Sequence, residues 1–151
     1  MRSKSFLAII LLLIISACGT GSEDAYFNQI LDDEWSRGME ENPVFASYMG
    51  DKSANQDWPD ISDQAVRERQ KKTREVLEKI KSVNPQKLTE ENQLNYRLFL
   101  YNYERSVKSQ KFDSHLLTFG QRGGIQLQQE TAEGLNFNSS QDYKDWLARL
   151  E

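Results

Sequence analysis

Thr89-Glu90-Glu91-Asn92-Gln93-Leu94-Asn95-Tyr96-Arg97-Leu98-Phe99-Leu100-Tyr101-Asn102-Tyr103-Glu104-Arg105-Ser106-Val107-Lys108-Ser109 is the stretch that decides the fold class. Thr89 is a natural N-cap, and the acids at 90 and 91 suit the positive end of a helix dipole. Leu94, Leu98 and Tyr101 recur at helical spacing, so the segment predicts a long helix from Glu90 to about Ser109. Tyr96, Phe99, Leu100, Tyr103 and Val107 fall on much of the remaining circumference. A helix apolar over so wide an arc is normally covered on more than one side. The other predicted helices can cover part of it, but not all of it.

On the N-terminal side the same logic repeats. Ser62 and Asp63 start a helix whose stripe is Ala65, Val66, Arg69, Thr73, Val76, Leu77, Ile80 and Val83, and Asn84-Pro85 ends it. Two helices joined by so short a loop predict an antiparallel hairpin. Further upstream, Phe27, Ile30, Leu31, Trp35 and Met39 define a first helix, capped at Ser22 and running to about Glu41. It stops at Asn42-Pro43 because proline disfavours helical backbone at the residue before it. Pro43 then opens a short helix holding Val44, Phe45, Tyr48 and Met49, closed by Gly50. Residues 51–61 read as a polar loop. Downstream, Gly120, Gly123, Gly124 and Gly134 interrupt residues 111–139. A structureless loop of that length is uncommon, so short helices are expected within it. Ser139 or Ser140 caps a last helix with the stripe Tyr143, Trp146, Leu147 and Leu150. No alternating strand pattern of useful length and no internal repeat occurs. The expected class is all-α, a helical array with one antiparallel hairpin.

The N-terminus carries a different signal. Arg2 and Lys4 precede the apolar run Phe6 to Ile15, which ends in Ser16-Ala17-Cys18. Basic start, apolar run and small residues are the order of an export signal. A signal ending in Cys resembles a bacterial lipobox, with cleavage between Ala17 and Cys18 and acylation of the Cys18 thiol. Two other readings were weighed, a free or intermolecularly paired thiol and a retained transmembrane anchor. The run is much shorter than the ~20 apolar residues that span a bilayer. More than one acyl chain is needed for stable anchoring, and a lipobox cysteine carries several. Gly19 stands where an Asp would hold such a protein at the inner membrane. The resemblance therefore implies the outer membrane, facing the periplasm, in a Gram-negative cell. The expected organisation is a signal peptide over 1–17, a lipidated Cys and flexible tether over 18–24, and a helical body over 25–151.

Removing residues 1–17 takes two bases and no acid, leaving 17 bases against 23 acids, a formal charge of −6. That balance argues against nucleic acid, which asks for a concentrated basic patch, and against polybasic membrane contact. With a single Cys, no intrachain disulfide can form. Three Trp, six Tyr and seven Phe can supply a real core.

Catalytic constellations are scarce. There is one His, His115, and no His-Glu-x-x-His spacing, so neither a zinc site nor a triad is written in the residues. Most paired acids read as solvated faces. Glu34 is the exception, a carboxylate at the edge of an apolar stripe, expected to pair with a Lys or Arg from a neighbour or to line a cleft. Gly120-Gln121-Arg122-Gly123-Gly124 lacks the spacing of a nucleotide-binding loop. Glycines around Arg122 do let amides and a guanidinium approach an anion such as a peptide carboxylate.

Taken together, Phe27–Trp35, Asn42-Pro43-Val44-Phe45-Ala46-Ser47-Tyr48-Met49-Gly50-Asp51, Trp58-Pro59-Asp60, Asn92-Gln93-Leu94-Asn95-Tyr96 and Asp142–Leu150 resemble the N-terminal part of the bacterial domain-of-unknown-function 885 family. That resemblance implies a large helical lipoprotein similar to zinc metallopeptidases, acting on peptides. The family's His-Glu metal motif lies outside these residues, so no catalytic or metal-binding residue carries over and zinc is implied only for the longer protein. The expectation is an incomplete part of a larger helical fold, without hydrolase activity of its own. The rival expectation is a small non-enzymatic periplasmic or surface lipoprotein for binding or assembly.

Overall fold

The computed structural model describes residues 18–116, 119–120 and 123–151. Among the described residues, five α-helices carry the fold: α1 (Cys18–Glu41), α2 (Pro43–Tyr48), α3 (Asp63–Ser82), α4 (Glu90–Ser109) and α5 (Ser140–Leu150). Short 3-10 turns cover Pro85–Lys87, Gln110–Phe112, Ser114–Leu116 and Ile125–Gly134. The extended pairing among the described residues is a two-residue antiparallel ladder of Phe119–Gly120 with Gly123–Gly124. The chain is all-α, as its periodicity predicts.

The helix boundaries follow from local chemistry. The Asn42 side chain accepts from the Phe45 N–H at 3.1 Å, and Pro43 fills the first helical position of α2. Gly50 adopts φ +92, a left-handed backbone that favours glycine, as the chain leaves α2. Ser62 Oγ accepts from the Ala65 N–H, and Thr89 Oγ1 from the Asn92 N–H, at the starts of α3 and α4. At α5 the cap is Ser139, with a reciprocal capping box to Asp142.

One boundary differs from expectation. The segment 18–24, expected as a tether, is helical, and α1 begins at Cys18 rather than after Ser22. Once Phe27 and Ile30 are anchored, adding a turn upstream needs only propagation, not nucleation. Glu23 and Asp24 are thereby freed from their own helix start and cap other elements instead. Glu23 accepts from the Asn84 N–H at 2.7 Å. Asp24 accepts from the Asn92 side-chain amide at 2.7 Å and from the Thr89 N–H and hydroxyl at 3.2 Å. The Asn92 amide, with help from Thr89, holds the Asp24 carboxyl below the usual carboxylate range.

Two compact units emerge, with boundaries inside α1 and α3. The first comprises the described residues up to Asp32 together with Lys71–Lys108. Its core is a single apolar cluster of Phe27, Ile30, Val76, Ile80, Val83 and Leu88, with Leu31, Tyr96, Phe99, Leu100 and Tyr103 packed against it. Each helix contributes residues three or four apart, one stripe per helix. Phe27 is fully buried and meets Tyr96 and Phe99 edge-on, with ring centroids at 6.0 and 6.5 Å. Val83–Thr89 forms the hairpin connection, as expected. The other face of α4 stays open: Leu94, Leu98 and Tyr101 are each more than half exposed.

The second unit comprises Asp33–Gln70 and Ser109–Glu151. Here α2 buries Pro43, Ala46 and Ser47. Tyr48 donates its hydroxyl to the Thr131 carbonyl at 3.3 Å, and its ring lies so close to Gly134 that a Cβ there would stand 2.7 Å from a ring carbon. Glycine at 134 is what lets the Ile125–Gly134 turn approach α2. Trp35 and Phe45 meet edge-on at 5.8 Å.

The last helix splits its apolar stripe, with Trp146 packed against Trp58 and the rest turned out. Tyr143, Leu147 and Leu150 are each more than half exposed, while Asp142, Asp145 and Arg149 are buried. The physical reason is the supply of polar partners. The loop after α2 presents Lys52, the Ala54 carbonyl and Gln56, which engage Asp142, Arg149 and Asp145 in turn.

Candidate binding pocket

Within the second unit, a pocket of about 260 Å³ opens between the loop after α2, the approach to α5 and the inward face of α5. Its walls come from Ser47, Gly50, Lys52 and Asn55 on one side, Leu135–Asn138 on another, and Asp142, Asp145 and Trp146 on the third.

Each polar wall group is fixed from behind. Asp142 accepts from the N–H groups of Asn138 and Ser139 at 2.9 and 2.8 Å and from the Ser139 hydroxyl at 2.9 Å, and it pairs with Lys52. Lys52 and then Ser139 hold its carboxyl down to about 2. Asp145 Oδ1 accepts from Gln56 at 2.8 Å and Gln141 at 2.7 Å, which lowers its carboxyl as well. Asn55 Oδ1 accepts from the Ser47 hydroxyl at 2.7 Å. Both carboxylates therefore stay ionised well into acid.

Arg149 lies behind this wall at 2% exposure. Its Nη2 donates to Ser47 Oγ at 3.0 Å and to the Ala54 carbonyl at 3.1 Å, and its guanidinium stands 5.6 Å from the Trp58 ring centroid. The Nε and Nη1 protons have no partner among the described residues. Burial pushes the Arg149 pKa down, opposed by the charges of Asp57, Tyr48 and Asp145. The Trp58 indole donates to the Arg149 carbonyl and meets Trp146 edge-on at 6.2 Å, so both rings are held. Phe137 stacks on Tyr143 at 4.8 Å.

The residues singled out by sequence fare differently. Cys18 is the first residue of α1. Ala17 and Arg122 lie outside the described residues. Glu34 does not line the pocket. Its nearly buried carboxylate is gripped in a fork by Arg37, three residues on in the same helix, and Arg37 reaches Glu41 at 2.7 Å. The Arg37 partner is thus intrahelical, where the sequence suggested a neighbouring element. His115 faces Asp63 at 3.9 Å. Among the described residues no three of His, Cys, Asp and Glu come together as a metal-binding group. The donor set does not fit zinc: Asp142 is taken up by N–H and O–H donors, Asp145 offers a single open oxygen, and neither His115 nor Cys18 is among the pocket walls. Sequence reasoning missed Lys52, Asn55, Asp145 and Arg149. Only Asp142 carried a readable signal, as the third residue after Ser139 in a capping box.

Residues 43–151 match the profile of a family described as bacterial protein of unknown function (DUF885). The chain belongs to the DUF885 family. The matched span begins at Pro43, so α1 and the Phe27–Trp35 part of the resemblance lie outside it, while the pocket and all of α5 lie inside. No curated protein and no solved structure matches the chain. No helix among the described residues of this DUF885 protein is long and apolar enough to cross a membrane.

Proposed function

We propose that this DUF885 protein is an exported lipoprotein, held to the membrane by acyl chains on Cys18, whose helical body is a non-catalytic wall of a larger metallopeptidase-like assembly acting on peptides. The observation that carries the structural half is the inverted last helix. Tyr143, Leu147 and Leu150 form an outward apolar stripe on a helix whose polar face is already packed. Such a stripe is costly to leave in water, at ~25 cal/mol per Å² of apolar surface, and suits a packing partner. The anchor half is supported by the order of Arg2, Lys4, the apolar run and Ser16-Ala17-Cys18. In a Gram-negative cell, Gly19 after the cysteine favours the outer membrane, facing the periplasm.

Two measurements test it. Metabolic labelling with a palmitate analogue in a bacterial host should mark the wild-type chain and not Cys18→Ser; label on the variant removes the anchor. A peptidase assay of the chain with added zinc should show no turnover, and robust metal-dependent cleavage would sink the non-catalytic assignment. A small binding lipoprotein is the second reading, and the pocket between the loop after α2 and α5 is what favours it.

A further inference from the structure

We infer that the pocket walled by Asn55, Asn138, Asp145 and Trp146 is a binding site for a neutral saccharide ring. The argument begins with what each wall group has left to offer. Asp145 Oδ1 is occupied by Gln56 and Gln141, and Oδ2 has no hydrogen bond among the described residues. Asn55 Oδ1 is occupied by Ser47, and its Nδ2 protons have no hydrogen-bond partner among the described residues. Lys52 spends one direction on Asp142 and keeps further N–H donors. Asn136 and Asn138 line the same space. Asp145 and Asn55 are thus each held by one atom and keep a second polar atom for a ligand, an arrangement that lowers the ordering cost of binding.

The charges then select the ligand class. Lys52 is matched by Asp142, and the buried Arg149, behind the wall, faces Asp57 and Asp145, so no cation is left over to select an anion. What remains is a short-range mixture of acceptors and donors on rigid side chains, beside an indole braced by Trp58. A ligand that uses all of these presents several hydroxyls, each donor and acceptor at once, together with an apolar face for an aromatic ring. A pyranose ring has this chemistry. The volume of about 260 Å³ lies just under the usual range of small-molecule pockets and admits one or two rings rather than a long chain. A peptide backbone also carries donors and acceptors, but it is usually held by a strand edge or by spaced main-chain groups. The polar groups described here are side chains. The inference holds for either reading of the protein's larger role, because it needs neither the anchor nor a missing domain.

The test uses the full chain in dodecylphosphocholine micelles, a detergent without a sugar headgroup. The probes are methyl β-glucoside, N-acetylglucosamine and its β-1,4-linked disaccharide, with a doubly capped alanine dipeptide as the competing class. Saturation-transfer NMR and tryptophan fluorescence report binding. Saturable binding of at least one sugar in the millimolar range is expected, with the dipeptide weaker. Asp145→Asn keeps the Gln56 and Gln141 contacts but turns the open oxygen into a donor, and it should weaken the sugar at least about tenfold. Asn55→Asp reverses the opposite wall group and should do the same. Leu147→Ser, on the outward face, should leave affinity unchanged, and circular dichroism checks that each variant is folded. Should one pocket variant fail to fold, the other decides. The inference is overturned by no saturable sugar binding up to tens of millimolar, by unchanged affinity in a folded pocket variant, or by tighter binding of the capped dipeptide.

Discussion

The two compact units differ in the balance of what they bury. The first hides Phe27, Ile30, Val76, Ile80, Val83 and Leu88, with Asn92 as its buried polar residue. The second hides Ser47, Thr131, Asp142, Asp145 and Arg149 and leaves Tyr143, Leu147 and Leu150 outside. Apolar burial is non-directional and adds roughly 1.5–3 kcal/mol per large side chain. A buried polar network gains little net free energy, because desolvation offsets most of each bond, yet it is costly to leave half made. The first unit is therefore built for stability. The second is built for position: its network fixes where the carboxylates and amides of the pocket point, and it has stability that depends on protonation.

Mutation can break that contrast. The largest effect is expected from Phe27→Ala. Loss of a fully buried ring with two edge-on aromatic neighbours should cost ~3–5 kcal/mol, read as a drop in the denaturant midpoint. Protection of the amides of residues 76–83 and 96–103 should fall first, and unchanged stability would remove the case for an apolar core in the first unit.

Acid comes next. The folded Asp142 carboxyl titrates near 2, below its ordinary 3.8. A depressed folded pKa stabilises the folded state at pH above the ordinary value, and this contribution fades as pH falls from 3.8 toward about 2. Near-UV circular dichroism of the Trp58–Trp146 pair should fade across that window in wild type. Asp142→Asn should show the weakened signal already at neutral pH and keep only the smaller acid dependence that Asp145 supplies. Acid also protonates Asp24 in the first unit, but that group caps a helix at the rim and the Phe27 cluster has no titrating member.

Ser139→Ala removes one half of the capping box and should destabilise by ~1 kcal/mol in thermal unfolding. Smallest of all is Leu147→Glu. On the outward face of α5 it should change the stability of the isolated chain by less than ~0.5 kcal/mol. A loss of several times that would mean the stripe is core and α5 is inserted the other way round.

Much of the architecture was legible because it is written locally. Asn42-Pro43, Ser62, Thr89 and Ser139 mark helix starts by a short-range bond that any reader of caps can find. The stripes that fill the first unit have the 3.6 period of their helices. The orientation of α5 was not legible. Amphipathic spacing says that a helix has two faces, not which one meets protein. That choice was made by Lys52, Ala54 and Gln56, about ninety positions away in the chain. The same distance hid the pocket, whose members are common polar residues with no motif spacing. Glu34 failed in the other direction: its partner, Arg37, stood three residues on, a spacing that places two side chains on one helix face.

Under the proposed anchor on Cys18, the early start of α1 leaves the molecule without slack. With fatty chains on Cys18, the first turn of helix already begins at the bilayer, and at ~1.5 Å per residue Asp24 stands only ~9 Å further along the rod. Asp24 in turn grips Thr89 and Asn92. The first unit would then ride close above the lipid headgroups on a stiff post, unable to swing out as on a leash, and whatever it meets must come to that shallow layer.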